Sequence, residues 1–453
     1  MTTTVTNYDG SLASTPQRLV RPQSVEELQN VLRRRDEYPS PVRAMGSYHS
    51  LTPCVSTPGT IVDMRGLNKV VAIDPVAMTF TAQAGLEMIE ANHELRKQNL
   101  QFMLNIEIGN MTIGSAACCH TKDALDAVGF GQVNSFITAI KWVSPSGTLE
   151  EASASKNPEL LPMIRASYGL AGIVYEATFA IKPLEIVRFN YHAFDVDEIT
   201  QDTVSEIIAS NEAMVCWTVR HKVVFQTRNR ATELRKEFLA DSRRLGWSFL
   251  GAFIARGLRE HSISTAATNV LEDLAAKLEI GVYELLGLID GFTLYAPEKM
   301  IDYSNTPPSA RYAFTFWAFP RKDWAKNVKD YVAWSDRYFE RNGFRCNMPL
   351  GSYFIKQDTS SLLSYTFDGD IISLDPIHAP GEHDKAAWDA FLHEFNDWAH
   401  ARGGRPLLNQ SPFVTRQHVV DSYGERWRKL SDWVRTVDPD RRMVNQFFAD
   451  LLV

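Results

Sequence analysis

The chain has 453 residues, 45% of them hydrophobic and 22% charged, with 25 Gly and 21 Pro; this globular composition is long enough for two or three cored domains and excludes disorder, collagen and coiled coil as the main architecture. A formal charge of −7 leaves no electrostatic footprint for nucleic acid or an anionic membrane surface. The five cysteines, Cys54, Cys118, Cys119, Cys216 and Cys346, are odd in number and contain no Cys-x-x-Cys pair, so neither a disulfide framework nor a metal cage is expected.

From the N-terminus, Met1 to Asn7 shows no charged segment followed by an apolar one, and no window reaches the ~18 apolar residues of a spanning helix. The expectation is a soluble, cytoplasmic protein. Ser24-Val25-Glu26-Glu27 opens a helix by the capping-box pattern, with Val25, Leu28, Val31 and Leu32 as its apolar stripe, and Pro39 and Pro41 stop it. The run Arg33-Arg34-Arg35 falls in this helix as a solvated face. Short strands follow at Val42–Ala44, Thr60–Met64, Val70–Ile73 and Thr79–Ala82, then a helix over Glu87–Asn99, a hairpin of Thr138–Val143 with Thr148–Ala152, and a strand over Gly172–Lys182 closed by Pro183.

Beyond Leu184 the texture changes to longer elements. Arg311 to Phe319 alternates with period two, both faces apolar, and predicts one strand covered on both sides. Trp388, Phe391, Leu392, Phe395, Trp398 and Ala399 keep helical spacing until Gly403-Gly404. Tyr423, Trp427, Leu430 and Val434 predict a last amphipathic helix stopped by Asp438-Pro439. No internal repeat is present.

No Gly-x-Gly-x-x-Gly follows a strand; Gly129-Phe130-Gly131-Gln132-Val133-Asn134 lacks the third Gly, and the Walker pattern is absent. A phosphorylated cofactor therefore needs another cradle. At Pro41-Val42-Arg43-Ala44-Met45-Gly46-Ser47-Tyr48-His49-Ser50, Gly46 permits a tight turn, and successive N–H groups with the hydroxyls of Ser47 and Ser50 can meet phosphate charge. At Ile113-Gly114-Ser115-Ala116-Ala117-Cys118-Cys119-His120, small side chains let backbone approach a ligand closely. A third Gly-rich stretch, Gly169-Leu170-Ala171-Gly172-Ile173-Val174, precedes a strand.

These three elements, in this order, resemble the flavin loops of the vanillyl-alcohol-oxidase and p-cresol-methylhydroxylase type flavoproteins, nearest in pattern to the aldonolactone and alditol oxidase branch. The resemblance implies an α+β fold with a two-part FAD domain (residues 10–185, completed by 405–453) and an α+β cap over residues 186–404 that roofs the flavin ring. It implies FAD as cofactor, held by Met45, Gly46, Ser47, Tyr48, His49, Ser50, Ile113, Gly114, Ser115, Ala117, Cys118, His120, Gly172, Ile173, Val174 and Asn445, with His49 bonded to the flavin 8α-methyl.

The bicovalent branch's cysteine would fall near Asn110, so a second link is not expected. After His120 the chain reads Thr121-Lys122-Asp123 where relatives have Gly-Ser or Gly-Thr. In the C-terminal half, Tyr353-Phe354-Ile355-Lys356 is similar to the branch's Val-Glu-Val-Arg, and Arg405 to Gln410 stands in the place of Arg-Pro-His-Trp-Gly-Lys. This makes Lys356, Gln410 and Tyr353 the candidate catalytic residues, with Asp375 and His378 as further proton acceptors by type. Phe354 and Gln410 in place of Glu and Lys point to a substrate less hydroxylated than a polyol.

The function implied is an FAD-dependent oxidase taking a hydride from an alcohol-type small molecule, with O2 or another electron acceptor as the second partner. Amine oxidation, oxidative cyclisation or an acceptor-dependent dehydrogenase on the same fold stands as the alternative, and a flavin-binding protein without catalysis as a third.

Overall fold

The computed structural model describes residues 3–123, 131–261, 265–289, 291–381 and 384–453. Gly129 and Phe130 of the Gly-poor near-motif lie outside these ranges.

The first part of the chain builds two small sheets beside a two-stranded ribbon of Val5–Thr6 with Ala13–Ser14. Strands β1 (Arg18–Val20), β2 (Val42–Met45) and β3 (Thr60–Asp63) form a parallel sheet in the order β1-β3-β2. Between β1 and β2 runs α1 (Val25–Arg33), whose N-cap Ser24 accepts from the Glu27 N–H while the Glu27 carboxylate accepts from the Gln23 N–H. Its stripe of Leu28, Val31 and Leu32 is buried, as the spacing predicts. It ends at Arg33, a turn before the prolines.

The second small sheet uses β4 (Val70–Asp74), β5 (Thr79–Gln83), β6 (Leu100–Phe102), β7 (Ile137–Val143), β8 (Leu149–Ser153) and the long β9 (Ile173–Pro183), in the order β8-β7-β9-β5-β4, with β6 on the far end of β9. Helices α2 (Met88–Arg96) and the six-residue α3 (Ile113–Cys118) complete this part. Leu28, Val62, Phe80, Phe102, Ile140 and Phe179 share one core across it.

The second part is an eight-stranded antiparallel sheet. It comprises β10 (Ile186–Asp195), β11 (Ala213–Val219), β12 (Lys222–Ala231), β13 (Phe292–Tyr295), β15 (Trp317–Pro320), β16 (Leu350–Ile355), β17 (Ile371–Leu374) and β19 (Arg405–Pro406), in the order β13-β10-β12-β11-β16-β17-β15-β19. Helix α4 (Gln201–Ala209) packs against β11 and against α8 (Trp324–Asn342). Between β12 and β13, α5 (Glu237–Leu245), α6 (Gly251–Glu260) and α7 (Thr265–Leu288) pack over the sheet.

Two expectations are corrected. The run Arg311 to Phe319 is two short strands, because Thr315 leaves the ladder to donate its N–H to the Pro376 carbonyl; β14 (Ala313–Phe314) pairs with β18 (Ile377–His378) in a separate ribbon, while β15 joins the large sheet. Alternating apolar residues cannot reveal such a break when both faces are buried anyway. The predicted last helix is likewise two: α10 (Arg416–Tyr423) stops at Gly424, and α11 (Glu425–Val437) carries Trp427, Leu430 and Val434. A further helix, α12 (Gln446–Leu451), follows. The helix of aromatic spacing is α9 (Lys385–His400), with Trp388, Phe391, Leu392 and Phe395 buried.

The C-terminal segment returns to the first part. Arg43 on β2, buried, donates to the carbonyls of Cys54 (2.9 Å), Tyr168 (2.5 Å) and Met443 (2.8 Å), and the Val42 N–H donates to the Arg442 carbonyl. The strand Arg405–Pro406, on the near edge of the expected C-terminal segment, extends the large sheet.

Candidate active site at the junction

The loop leaving β2 turns sharply at Tyr48, whose φ of 54° is left-handed and whose hydroxyl meets Ser56 Oγ at 2.9 Å. Met45 and Tyr48 are buried against Ile61. Among the described residues, the N–H groups of Ser47, Tyr48, His49 and Ser50 have no main-chain acceptor. Four successive amides free in this way make an anion-binding concavity. Gly46 is required here: a Cβ would run into Thr112 Oγ1 and Ser115 Oγ, so the first and second loops touch at this residue. Ser47 Oγ donates to the Asn110 carbonyl, and the Ser50 carbonyl accepts from Asn7.

His49 is stacked on Tyr8 (ring centroids 4.7 Å, 28°) and meets the edge of Tyr303 at 6.2 Å. Burial pushes its imidazole down to about 4, partly offset by the Asn110 side chain. It is therefore neutral at pH 7, the form whose ring nitrogen is nucleophilic.

In the second loop, the Ile113 and Gly114 N–H groups are already donated to the Leu86 and Ala84 carbonyls, so these residues fix α3 in place. Ser115 Oγ lies 3.0 Å from Thr112 Oγ1. Ala117 is buried, and the carbonyls of Ala117 and Cys118 accept from the N–H groups of Ala166 and Tyr168. His120 sits in an aromatic box of Tyr168, Tyr365 and Tyr423, with Nε2 2.6 Å from the Leu363 carbonyl. Its burial pushes the ring down to about 3, and its side chain supports the loop from beneath.

Gly172, at φ 130°, lies so close to the Val143 carbonyl that a Cβ would collide with it, and Ile173 and Val174 pair with Val143 and Trp142. Asn445 caps α12 and donates to the carbonyls of Pro53 (2.9 Å) and Ser56 (2.8 Å), bracing the segment that follows the first loop. Of the sequence-predicted cofactor residues, those of the first loop keep four main-chain amides free, while His120, Ala117, Ile173, Val174 and Asn445 make protein contacts that hold its frame.

On the substrate side, Tyr353 lies in the junction: its hydroxyl is 3.4 Å from Glu107 Oε2, and its ring faces Lys122 Nζ at 5.0 Å. Ile355 points the same way, since a Cβ on Gly131 would strike it. Phe354 is on the opposite side, under the Arg321 guanidinium. Lys356 lies one residue past the strand end. Gln410 lies in the turn that joins the first loop, where the Leu51 N–H donates to the Asn409 carbonyl; its Oε1 is buried and without a partner among the described residues.

A buried polar network fills the junction; of its members the sequence had singled out Asp375, but not its partner Lys122. Lys122 Nζ is 2.5 Å from Asp375 Oδ2 and 4.0 Å above the Phe316 ring. Burial pushes the Asp375 carboxyl up to about 6 despite Lys122, and burial lowers the Lys122 ammonium despite Asp375. Asp375 Oδ1 is buried with no partner among the described residues. Asp123 pairs with Arg228 (2.7 Å) and with Lys299; burial alone would raise its carboxyl, but these two cations hold it below the usual range. Glu107 pairs with Arg228 and Arg243. Rings connect this network to the first loop, from His49 to Tyr303, to Tyr312, whose hydroxyls meet at 2.9 Å, and on to Phe314 under Lys122. The available signal was Lys122-Asp123, two charges placed where small residues were expected. His378 lies elsewhere, bonded to Asp384.

Beside the network, a cavity of about 620 Å³ lies between the sheet and helices α5 to α7. Its walls are mainly apolar, with Trp217, Trp247, Tyr283 and Leu286, and Arg243 and Gln226 are its polar residues on the Glu107 side.

Residues 16–153 match the FAD binding domain family. Along its whole length the chain has the fold of a cholesterol oxidase from B. sterolicum (TM-score 0.75, 15% identity, covering 100% of this chain and 97% of that one). The chain is a flavoprotein with an FAD binding domain over residues 16–153. In sequence, this flavoprotein is 21% identical to an L-gulono-1,4-lactone dehydrogenase of Mycobacterium tuberculosis over 98% of both chains. It is 24% identical to an L-gulonolactone oxidase of Bos taurus over 39% of this chain and 40% of the relative. The residues present fit FAD: the free amides of the flavoprotein's first loop suit a pyrophosphate, and the close approach at Gly46 leaves the two loops in contact beneath it. No helix among the described residues is long and apolar enough to cross a membrane.

Proposed function

We propose that the flavoprotein is an FAD-dependent oxidase of an alcohol-type small molecule, and that the chemistry takes place at the junction between the His49 loop and the Lys122–Asp375 pair. The observation that carries this reading is Asp375 itself: a buried carboxylate raised to about 6, with one oxygen unpartnered, joined by a run of rings to the cofactor loop. FAD, when bound, supplies the acceptor for the substrate hydride and passes the electron pair to O2 to give H2O2.

The chain's own residues then do the following. Asp375 takes the hydroxyl proton while the adjoining C–H bond gives up its hydride, so that alcohol becomes carbonyl. Lys122 keeps Asp375 ionised near neutral pH. Tyr353 and Gln410 orient the substrate oxygen, with Lys356, just past the end of the strand that carries Tyr353, as the third candidate. His49, neutral and clamped between Tyr8 and Tyr303, forms the single covalent link to the flavin. In this reading residues 10–185 with 405–453 hold the cofactor and 186–404 the substrate, and the five free cysteines are in keeping with a reducing cytoplasm.

The similarity to an L-gulono-1,4-lactone dehydrogenase, an L-gulonolactone oxidase and a cholesterol oxidase supports the alcohol class. The apolar cavity favours an apolar alcohol over a polyol. Oxygen uptake with matching H2O2 and carbonyl product from an apolar alcohol tests this; product formed only with an added dye acceptor would replace oxidase by dehydrogenase.

A further inference from the structure

Twelve of the eighteen large apolar side chains exposed among the described residues fall between Phe238 and Leu288, on α5, α6, α7 and the turn that joins α5 to α6. Helix α7 is inverted relative to an ordinary surface helix. Leu271, Leu274, Leu278, Val282, Leu285 and Leu288 face outward, between 42% and 85% exposed, while Glu272 and Glu279 face inward, Glu272 onto Arg259 and Glu279 toward Tyr283. At the helical period the outward residues form one stripe. A contiguous apolar face of this kind marks an interaction site.

What it meets follows from the cavity behind it. Leu278 and Val282 on α7, with Leu250 and Ile254 beside them, are 41–65% exposed and also line the cavity. The mouth of the cavity therefore opens through the apolar stripe. A protein partner or second copy seated there would stop this mouth, whereas a lipid phase would supply an apolar ligand through it. The net charge of −7 opposes an anionic surface, so the attraction must come from apolar burial. We propose that the stripe of α7, with Leu250 and Ile254, docks on a zwitterionic lipid surface, and that a water-insoluble alcohol passes from that surface into the cavity. The choice of a lipid occupant and the ligand clause rest on the oxidase reading; the exposed stripe itself does not.

The test is flotation of the FAD-loaded full chain with phosphatidylcholine vesicles, beside a Leu278→Glu/Val282→Glu/Leu285→Glu variant whose replaced side chains are exposed. The expected result is salt-insensitive binding, at least about a hundredfold weaker in the variant, with flavin content and circular dichroism unchanged. A Leu278→Ser/Leu285→Ser variant should lie between the two and guards against a folding defect. No vesicle binding by the wild type, equal binding by the variants, or binding that requires phosphatidylserine would overturn the proposal. So would a dimer in sedimentation that the variant abolishes, which would make the stripe a copy-to-copy interface. Vesicle binding without flavin reduction by any alcohol would overturn the oxidase reading and leave the docking standing. Reduction by soluble alcohols without vesicle binding would do the reverse.

Discussion

Lys122 and Asp375, 253 residues apart in the chain, meet at 2.5 Å in the junction between the two parts of the flavoprotein, with the Lys122 ammonium also over the ring of Phe316. Each partner alone would be a costly buried charge. Together they hold the Asp375 carboxyl at about 6, below where burial alone would put it. Asp375 must be ionised to accept a proton, so substrate turnover should fall as pH drops through about 6. Lys122→Met removes the cation that opposes burial and should move this acid limb upward by a unit or more. A pH profile of the rate measures both; a limb that does not move would dissociate Lys122 from the reacting group.

His49 should carry the flavin covalently. Acid precipitation of the wild type should leave the yellow colour with the polypeptide, and His49→Ala should release it as free flavin in the supernatant. Because burial holds His49 neutral down to about pH 4, linkage on adding FAD to the apoprotein should proceed at similar rates at pH 6 and pH 8. Free flavin from the wild type would refute the link.

Arg43 is a brace whose loss should be structural. It ties β2 to the carbonyls of Cys54, Tyr168 and Met443 from three distant segments. Arg43→Met leaves the Tyr168 and Met443 carbonyls without this donor and the Cys54 carbonyl with only the long bond from Asn445, and about 3–5 kcal/mol of stability should be lost. Urea unfolding followed by tryptophan fluorescence reads this; a loss below about 1 kcal/mol would show that the segments hold together without it.

His120 should make the fold sensitive to acid. Its folded pKa of about 3 lies below the unfolded value, so the unfolded chain binds the proton first. The contribution is present in full above pH 6.5 and is lost as pH falls from there toward 3, by about 1.4 kcal/mol per pH unit. His120→Gln, which keeps a donor for the Leu363 carbonyl, should flatten this part of a stability–pH curve. An unchanged slope would place the acid sensitivity elsewhere.

The first loop was legible because its chemistry is local: Gly46, Ser47 and His49 are neighbours, and only glycine can stand against Thr112 and Ser115. The substrate end was not, because Glu107, Lys122, Arg228 and Asp375 come together only when the large sheet packs on the first part. Which face of β16 meets the junction was not legible either, because both of its faces are buried. The helix stripe of Tyr423 to Val434 was read as continuous because Gly424 breaks it without disturbing the spacing. The inverted face of α7 lay outside the pattern of an ordinary globular helix, whose leucines turn inward.

The most direct measurement is the rate at which an apolar alcohol bleaches the bound flavin under anaerobic conditions, in the wild type and in Asp375→Asn. The flavin should bleach in the wild type at a rate that rises with pH through about 6. In Asp375→Asn it should remain bound and bleach at least about a hundredfold more slowly, with no acid limb. Bleaching at an undiminished rate in Asp375→Asn would contradict the placement of the chemistry at this junction, and no bleaching of the wild type by any alcohol would contradict the function itself.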